Sequence, residues 1–336
     1  MTPDEIATLQ SIGTDWITSF IAIINETVFL TVYAFLVVRV ALVLLERRAV
    51  RAYVLLMLAI LTMFCITVVL WALDLTSFIL EPKMALIQHP EEPIDTKLNN
   101  AFSLIFKIVS VQDVLYAYSA LMGDAIIIHR AWMLKAYYHT WIFAIPCALL
   151  LVFSVSTATL TYCVAVVGSE IVLGNFEKPA VCKNVQEVGY IMPMCTTAVT
   201  TILIGITAWK HQKRVDPLHS NGSGYGRRRT HVEKILILLV ESGFFYFIFF
   251  LIQVVKPILV VNNWIDSNTT LIVLTRIFDD CSSVFVGIYP VMIIVLAHDK
   301  RGIIDEVASV TAFQAAQVTR GVEKTLNSAA WKTLSV

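Results

Sequence analysis

Seven apolar stretches of about 20 residues or more divide this chain, and short charged segments separate them. They run roughly over Ile17–Leu45, Ala52–Leu80, Ala101–His129, Thr140–Val166, Val188–Trp209, Val232–Val261 and Thr269–His298. At 1.5 Å per residue each is long enough to cross a bilayer as an α-helix. The pattern predicts an all-α polytopic membrane protein, a seven-transmembrane helix bundle. Residues 1–16 are expected to form an outer arm, 17–298 the bundle and 299–336 a cytoplasmic tail. The third stretch is the most polar, holding Lys107, Asp113 and Asp124. It still reads as a span, because Asp113, Tyr116, Ala120 and Asp124 recur at helical spacing and share one face.

Composition sharpens that picture. Hydrophobic residues make up 57% of the 336 and charged ones 15%, against roughly 25% charged in soluble chains. Net charge is zero, so nothing steers the chain toward nucleic acid; membrane lipid is the expected surrounding. Direction comes from Lys and Arg in the connecting segments. Alternate connections carry 16 against 4, the heavier set including Arg47, Arg48, Arg51, Arg130, Lys135 and the stretch Lys210–His231. The N-terminus is therefore expected outside and the C-terminus in the cytoplasm, in the plasma membrane. The opening residues carry no Lys or Arg, so the first span is expected to act as its own uncleaved signal, without a lipid anchor. The segment 210–231 is Gly/Ser-rich and then basic; it reads either as a topology determinant beside anionic lipid or as a docking surface for a cytoplasmic partner. In the tail, Ile303, Ile304, Val307 and Val310 suggest a short surface helix.

Of six cysteines, Cys65, Cys147, Cys195 and Cys281 fall within spans and read as packing residues. Cys163 and Cys182 flank an outer connection and are candidates for a disulfide. Asn268 begins a glycosylation sequon close to the membrane. None of the seven histidines lies mid-span. Metal-dependent intramembrane hydrolases need histidines and acids converging inside the bundle, so neither an enzyme nor a metal or other cofactor is expected. A Schiff-base light sensor is excluded for want of a lysine in the middle of the seventh span.

The intramembrane charges carry the candidate chemistry. Each costs at least about 2.5–3.5 kcal/mol to insert. By depth they form two layers. An inner layer holds Arg39, Asp124 and Glu241; an outer one holds Glu26, Asp113, Asp279 and Asp280, with Arg276, Lys107, Lys256 and Asp74 nearer the surface. Asp124 is six residues from Arg130, about 120° around the helix, so the two do not pair as neighbours on one face. Asp124 needs a partner on another helix, a water, or a proton. It reads either as a register-fixing hydrogen-bonding group or as a switch. Five outer acids face three bases, which suits a cationic or hydrogen-bonding ligand, a sodium ion, a shared proton or a self-satisfied network. Asp113, Tyr116, Arg276, Asp279, Asp280 and Glu26 are the candidate ligand residues. Pro146, Pro193, Pro257 and Pro290 lie within spans and free backbone carbonyls there.

The stretches GDAIIIHRAW ending the third span, GIYPVMIIVLAH ending the seventh and ETVFLTVYAFLVVRVALVLLERR in the first are similar to a large group of uncharacterised fungal seven-helix proteins of receptor-like architecture. The resemblance implies a receptor-like sensor, with Asp124 and Arg130 at the place of an acidic-basic switch and Pro290 at the seventh-helix proline; Glu241, at the depth of Asp124, joins them as a candidate switch residue. A cytoplasmic signalling partner such as a G protein follows from the architecture, although no Asp-Arg-Tyr or Asn-Pro-x-x-Tyr sequence is present. The alternative is a transporter or proton-coupled carrier using the intramembrane acids; the chain shows no internal repeat of the kind many carriers have.

Overall fold

The computed structural model describes residues 3–45, 51–84, 94–133, 144–167, 180–219, 231–261 and 270–295. These residues form seven helices: α1 (Pro3–Leu45), α2 (Arg51–Pro82), α3 (Ile94–Met133), α4 (Ala144–Val167), α5 (Ala180–His219), α6 (His231–Val261) and α7 (Thr270–Val295). Five of them contain stretches long and apolar enough to cross a membrane: Ile12–Leu45, Val54–Pro82, Asn100–His129, Ala144–Val166 and Thr270–Val295. Several helices outrun the apolar stretches that define them. α1 starts at Pro3, inside the segment expected to be an arm, and α5 continues through Lys210, Lys213 and Arg214 to His219. Residues 220–230, the sequon at Asn268 and the tail lie outside the described residues.

The surface is inverted relative to a water-soluble protein. Phe35, Leu55, Leu151, Tyr162 and Phe245 point outward, while Glu26, Thr67, Ser119, Asp124 and Thr200 are buried. Such a partition is stable only where the surroundings are apolar, and the chain is an integral membrane protein. Many of its threonine hydroxyls obey the same constraint. Thr18, Thr31, Thr67, Thr157 and Thr196 each donate to the carbonyl four residues earlier, at 2.6–3.0 Å, so no polar hydrogen is presented to lipid. The Trp71 indole N–H donates to Thr27 Oγ1 at 3.0 Å, tying α2 to α1.

Residue pairings set the helix directions. Trp16 stacks on Phe78, Thr27 meets Trp71 and Tyr33 meets Phe64, so α1 and α2 run antiparallel. Gln112 meets Asp74 while Gly123 faces Met63, which makes α2 and α3 antiparallel. Thr201 with Gly243 and Gly205 with Val240 do the same for α5 and α6. Lys256 with Asp279 and Tyr246 with Tyr289 do so for α6 and α7. In contrast, Phe29 with Phe285 and Tyr33 with Gly287 place α1 parallel to α7. Consecutive helices pack side by side from α1 to α6, α3 also lies against α5, and α7 closes the bundle between α1 and α6.

α7 is more enclosed than the other four apolar spans: 61% of its apolar stretch is buried, against 22–28% in those. Two packed clusters meet on it. Tyr33, Val37, Val40 and Ile60 of α1 and α2 surround Val284 and Val291. Tyr116, Phe153, Tyr246 and Phe250 of α3, α4 and α6 surround Val286, Tyr289 and Ile293. Pro193, Pro257 and Pro290 sit inside α5, α6 and α7, which stay helical through them, and Pro146 sits in the first turn of α4, where its missing N–H costs least. Cys163 and Cys182 are joined by a disulfide, with Cα atoms 5.8 Å apart, linking the end of α4 to the start of α5.

Gly287 is where α1 and α7 approach most sharply. A methyl group there would lie 2.8 Å from two ring carbons and the hydroxyl oxygen of Tyr33, which is completely buried. Gly287→Ala is expected to cost about 1–3 kcal/mol through overpacking, read as a lower thermal midpoint of the purified protein. Adding Tyr33→Leu should restore part of that loss; a midpoint unmoved by Gly287→Ala would show that the ring yields freely.

Candidate functional site

Helix register brings the outer intramembrane charges together in one polar layer and leaves Asp124 in an inner one. In the outer one, α6 supplies Lys256, which donates to Asp279 Oδ1 of α7. One turn earlier on α7, Arg276 lies with Nε 3.7 Å from Asp280 Oδ1. α3 supplies Gln112, whose amide donates to Asp74 Oδ1 of α2 at 2.7 Å. α1 supplies Glu26, 0% exposed, with neither carboxyl oxygen hydrogen-bonded to protein. Asp74 and Asp280 both act on Glu26 electrostatically, and Arg276 and Lys256 act on Asp280. Asp113 follows Gln112 on α3, partly buried, and together with Asp279 and Asp124 it acts on Tyr116, whose hydroxyl interacts with Ser282 of α7. The six candidate ligand residues thus sit in the same region, on α1, α3 and α7. Lys107 does not join them; it is exposed.

Asp124 anchors the inner layer. It is 1% exposed and neither carboxyl oxygen has a protein hydrogen bond of normal geometry. It lies next to Gly123, the point where α3 faces Met63 of α2, Tyr246 of α6 and the Val286 carbonyl of α7, all 3.6–3.9 Å from a notional methyl group. Tyr246 stacks flat on Tyr289 at 4.0 Å between ring centroids, and its hydroxyl is buried. Thr196 of α5 also approaches Asp124. Its own proton goes to the Met192 carbonyl at 2.6 Å, so it offers Asp124 an acceptor.

The rest of the expected inner layer disperses. Arg39 is exposed and lies over the Phe35 ring at 5.9 Å, in the manner of a cation running along an apolar surface. Glu241 is exposed on α6 and does not face Asp124, because its helix turns Ser242 and Tyr246 inward instead. Arg130 belongs to the last turns of α3, and its side chain lies outside the described residues. Pro290 is buried, lining a small apolar cleft with Ile126, Ile127, Thr201, Ile204, Tyr289 and Ile293. Asp74, Gln112, Thr196, Tyr246 and Tyr289 escaped the sequence reading as site residues. Only Asp74 carried a signal, as an intramembrane acid beside the outer layer.

No family model, curated protein or solved structure matches this chain.

The Lys256–Asp279 contact is the polar clamp between α6 and α7. Lys256→Met is expected to destabilise the protein by leaving Asp279 without its cation, and Asp279→Asn should recover part of the loss in the same chain. A double-mutant cycle on thermal or denaturant midpoints should give a coupling of about 0.5–3 kcal/mol; additive effects would show that the contact contributes nothing.

Proposed function

We propose that this protein is a receptor-like seven-helix sensor of the plasma membrane, with its N-terminus outside, its bundle over residues 17–298 and a cytoplasmic tail from 299. Five apolar helices support the membrane-spanning reading, and α5 and α6 run antiparallel to each other, as do α6 and α7, within the same bundle. The basic connections fall alternately on one side, and the disulfide between α4 and α5 suits the oxidising opposite side. The sequence stretches GDAIIIHRAW and GIYPVMIIVLAH support membership of the fungal seven-helix group.

A ligand from outside would bear on the outer polar layer, at Asp113, Asp279, Asp280 and Arg276, where the Lys256–Asp279 ion pair links α6 to α7. Any ligand that favours one packing of α7 over another shifts the population toward it, by its difference in affinity for the two. α7 would carry that shift inward, since Tyr116–Ser282 and Tyr246–Tyr289 connect the outer layer to Asp124. The response would reach the basic segment 210–231 and a cytoplasmic partner such as a G protein. The burial of Asp124, near Thr196 of α5 and Tyr246 of α6 and without a protein hydrogen bond of normal geometry, carries this reading. A buried acid held so loosely is a poor structural tie and a suitable two-state element.

Reporter fusions at Gly226 and at the tail are expected on the same, cytoplasmic side, with an N-terminal tag outside; opposite sides for the first two would end the seven-span reading. Asp124→Asn is expected to change basal output of a G-protein-linked reporter by at least about fivefold. Unchanged output from protein present at the cell surface would remove the switch.

A further inference from the structure

Two opposite charges of the bundle face outward from their helices. Arg39 of α1 and Glu241 of α6 are both exposed, and among the described residues neither has an ion-pair partner; Arg39 rests over the Phe35 ring. Intramembrane charges ordinarily turn inward or pair with one another. α7 serves as a ruler for their depth. Phe29 lies against Phe285 and Tyr33 against Gly287, and that parallel register carries Arg39 to the level of Ile293 to Val295. Lys256 lies against Asp279 and Tyr246 against Tyr289, and that antiparallel register carries Glu241 to the level of Ile294. The base and the acid stand at one depth. The same ruler pairs Phe35 with Phe245, 65% and 72% exposed, at the level of Pro290, and Val28 with Ile252, both exposed, at the level of Ser283.

Both rows look out beside α7. On α1, Thr27 and Arg39 lie six residues to either side of Tyr33, about 120° around the helix in opposite senses; Thr27 faces Trp71 of α2, so Arg39 lies on the other flank, toward α7. On α6, Val240 faces Gly205 of α5, and Glu241 lies about 140° from Tyr246 in the opposite sense, again on the flank toward α7. The Phe285 ring of α7 touches both Phe29 and Phe249, so α1, α7 and α6 form one continuous outward face, with the base on one edge and the acid on the other. A two-fold rotation about the membrane normal keeps every depth and exchanges the two edges. We propose that this face binds a second copy of the chain, Arg39 of each copy meeting Glu241 of the other and Phe35 meeting Phe245. Each charge then gains its opposite in a low-dielectric setting, where pairing is strongest. The dimer does not depend on the signalling reading.

The test is energy transfer between labelled copies of the full-length protein in liposomes, over a range of protein-to-lipid ratios. The unmodified chain is expected to dimerise. Arg39→Glu alone and Glu241→Arg alone should each weaken the dimer at least about tenfold, because like charges then meet at both edges. Mixed together, the two variants should pair with each other at nearly the original strength, since reversing α1 of one copy and α6 of the other leaves both edges complementary. An unmodified chain that stays monomeric at every ratio overturns the proposal and leaves the two side chains reaching for headgroups. Single variants that dimerise like the unmodified chain overturn it, as does a mixture no stronger than its components. Where a reversed charge prevents insertion, oxidation decides, in chains with the exposed Cys65 and Cys147 replaced by alanine. Copies with Phe35→Cys and differently tagged copies with Phe245→Cys should form a disulfide-linked dimer carrying both tags, and Leu151→Cys on α4 in place of Phe35→Cys should not. Absence of the first product, or equal yield of both, is the overturning result.

Discussion

The close contact of α7 with α1 on one side and α6 on the other is the constraint on which the rest of the bundle depends. It is made by shape at Gly287 against Tyr33 and by aromatic stacking at Tyr246 against Tyr289. Neither contact is polar. Together they fix the rotation of α7 about its axis, and that rotation decides where Asp279, Asp280, Ser282 and Ser283 point. If α7 turned by a third of a revolution, its acids would meet lipid, at several kcal/mol each. The apolar packing therefore does the positioning, and the polar layers are its result.

Polar groups in this bundle are handled in two ways. Many threonines, and serines such as Ser110 and Ser154, satisfy themselves on the preceding turn of their own helices and leave the interhelical surfaces free to pack. Carboxyl groups cannot do this, because an anion has no proton to donate to a carbonyl. They need donors or cations from other helices. Asp74 and Asp279 have them, and Asp280 has Arg276 of its own helix; Glu26 and Asp124 lack protein hydrogen bonds of normal geometry. The two exceptions lie at different depths, and both face α7 or its neighbours.

Much of the architecture was legible in the sequence. Apolar length marked seven helices to within a few residues at most ends, because burial in lipid demands an uninterrupted apolar run. The extensions of α1 to Pro3 and of α5 to His219 were not marked, since helix can continue past the membrane without any apolar pattern. Helical spacing on α3 correctly put Tyr116, Ala120 and Asp124 on a buried face. Depth counting grouped Glu26 with Asp280 but could not orient single residues around their helices. Glu241 and Arg39 have the right depth and point outward. Pairings such as Gln112 with Asp74 or Tyr246 with Tyr289 depend on which helices are neighbours, and a single chain does not state that.

The parallel pairing of the first and last helices carries a consequence for biosynthesis. Glu26 enters the membrane with the first segment made, whereas Asp280 and the wall of α7 emerge only near the end of translation. Until then the oldest helix in the bilayer carries an ionisable group with no finished enclosure around it. The half-made chain must shelter that group against α2, with the Thr27–Trp71 bond holding the two together. Completion of the bundle is thus a late event, in which the youngest helix slots in against the oldest and seals its acid from the lipid.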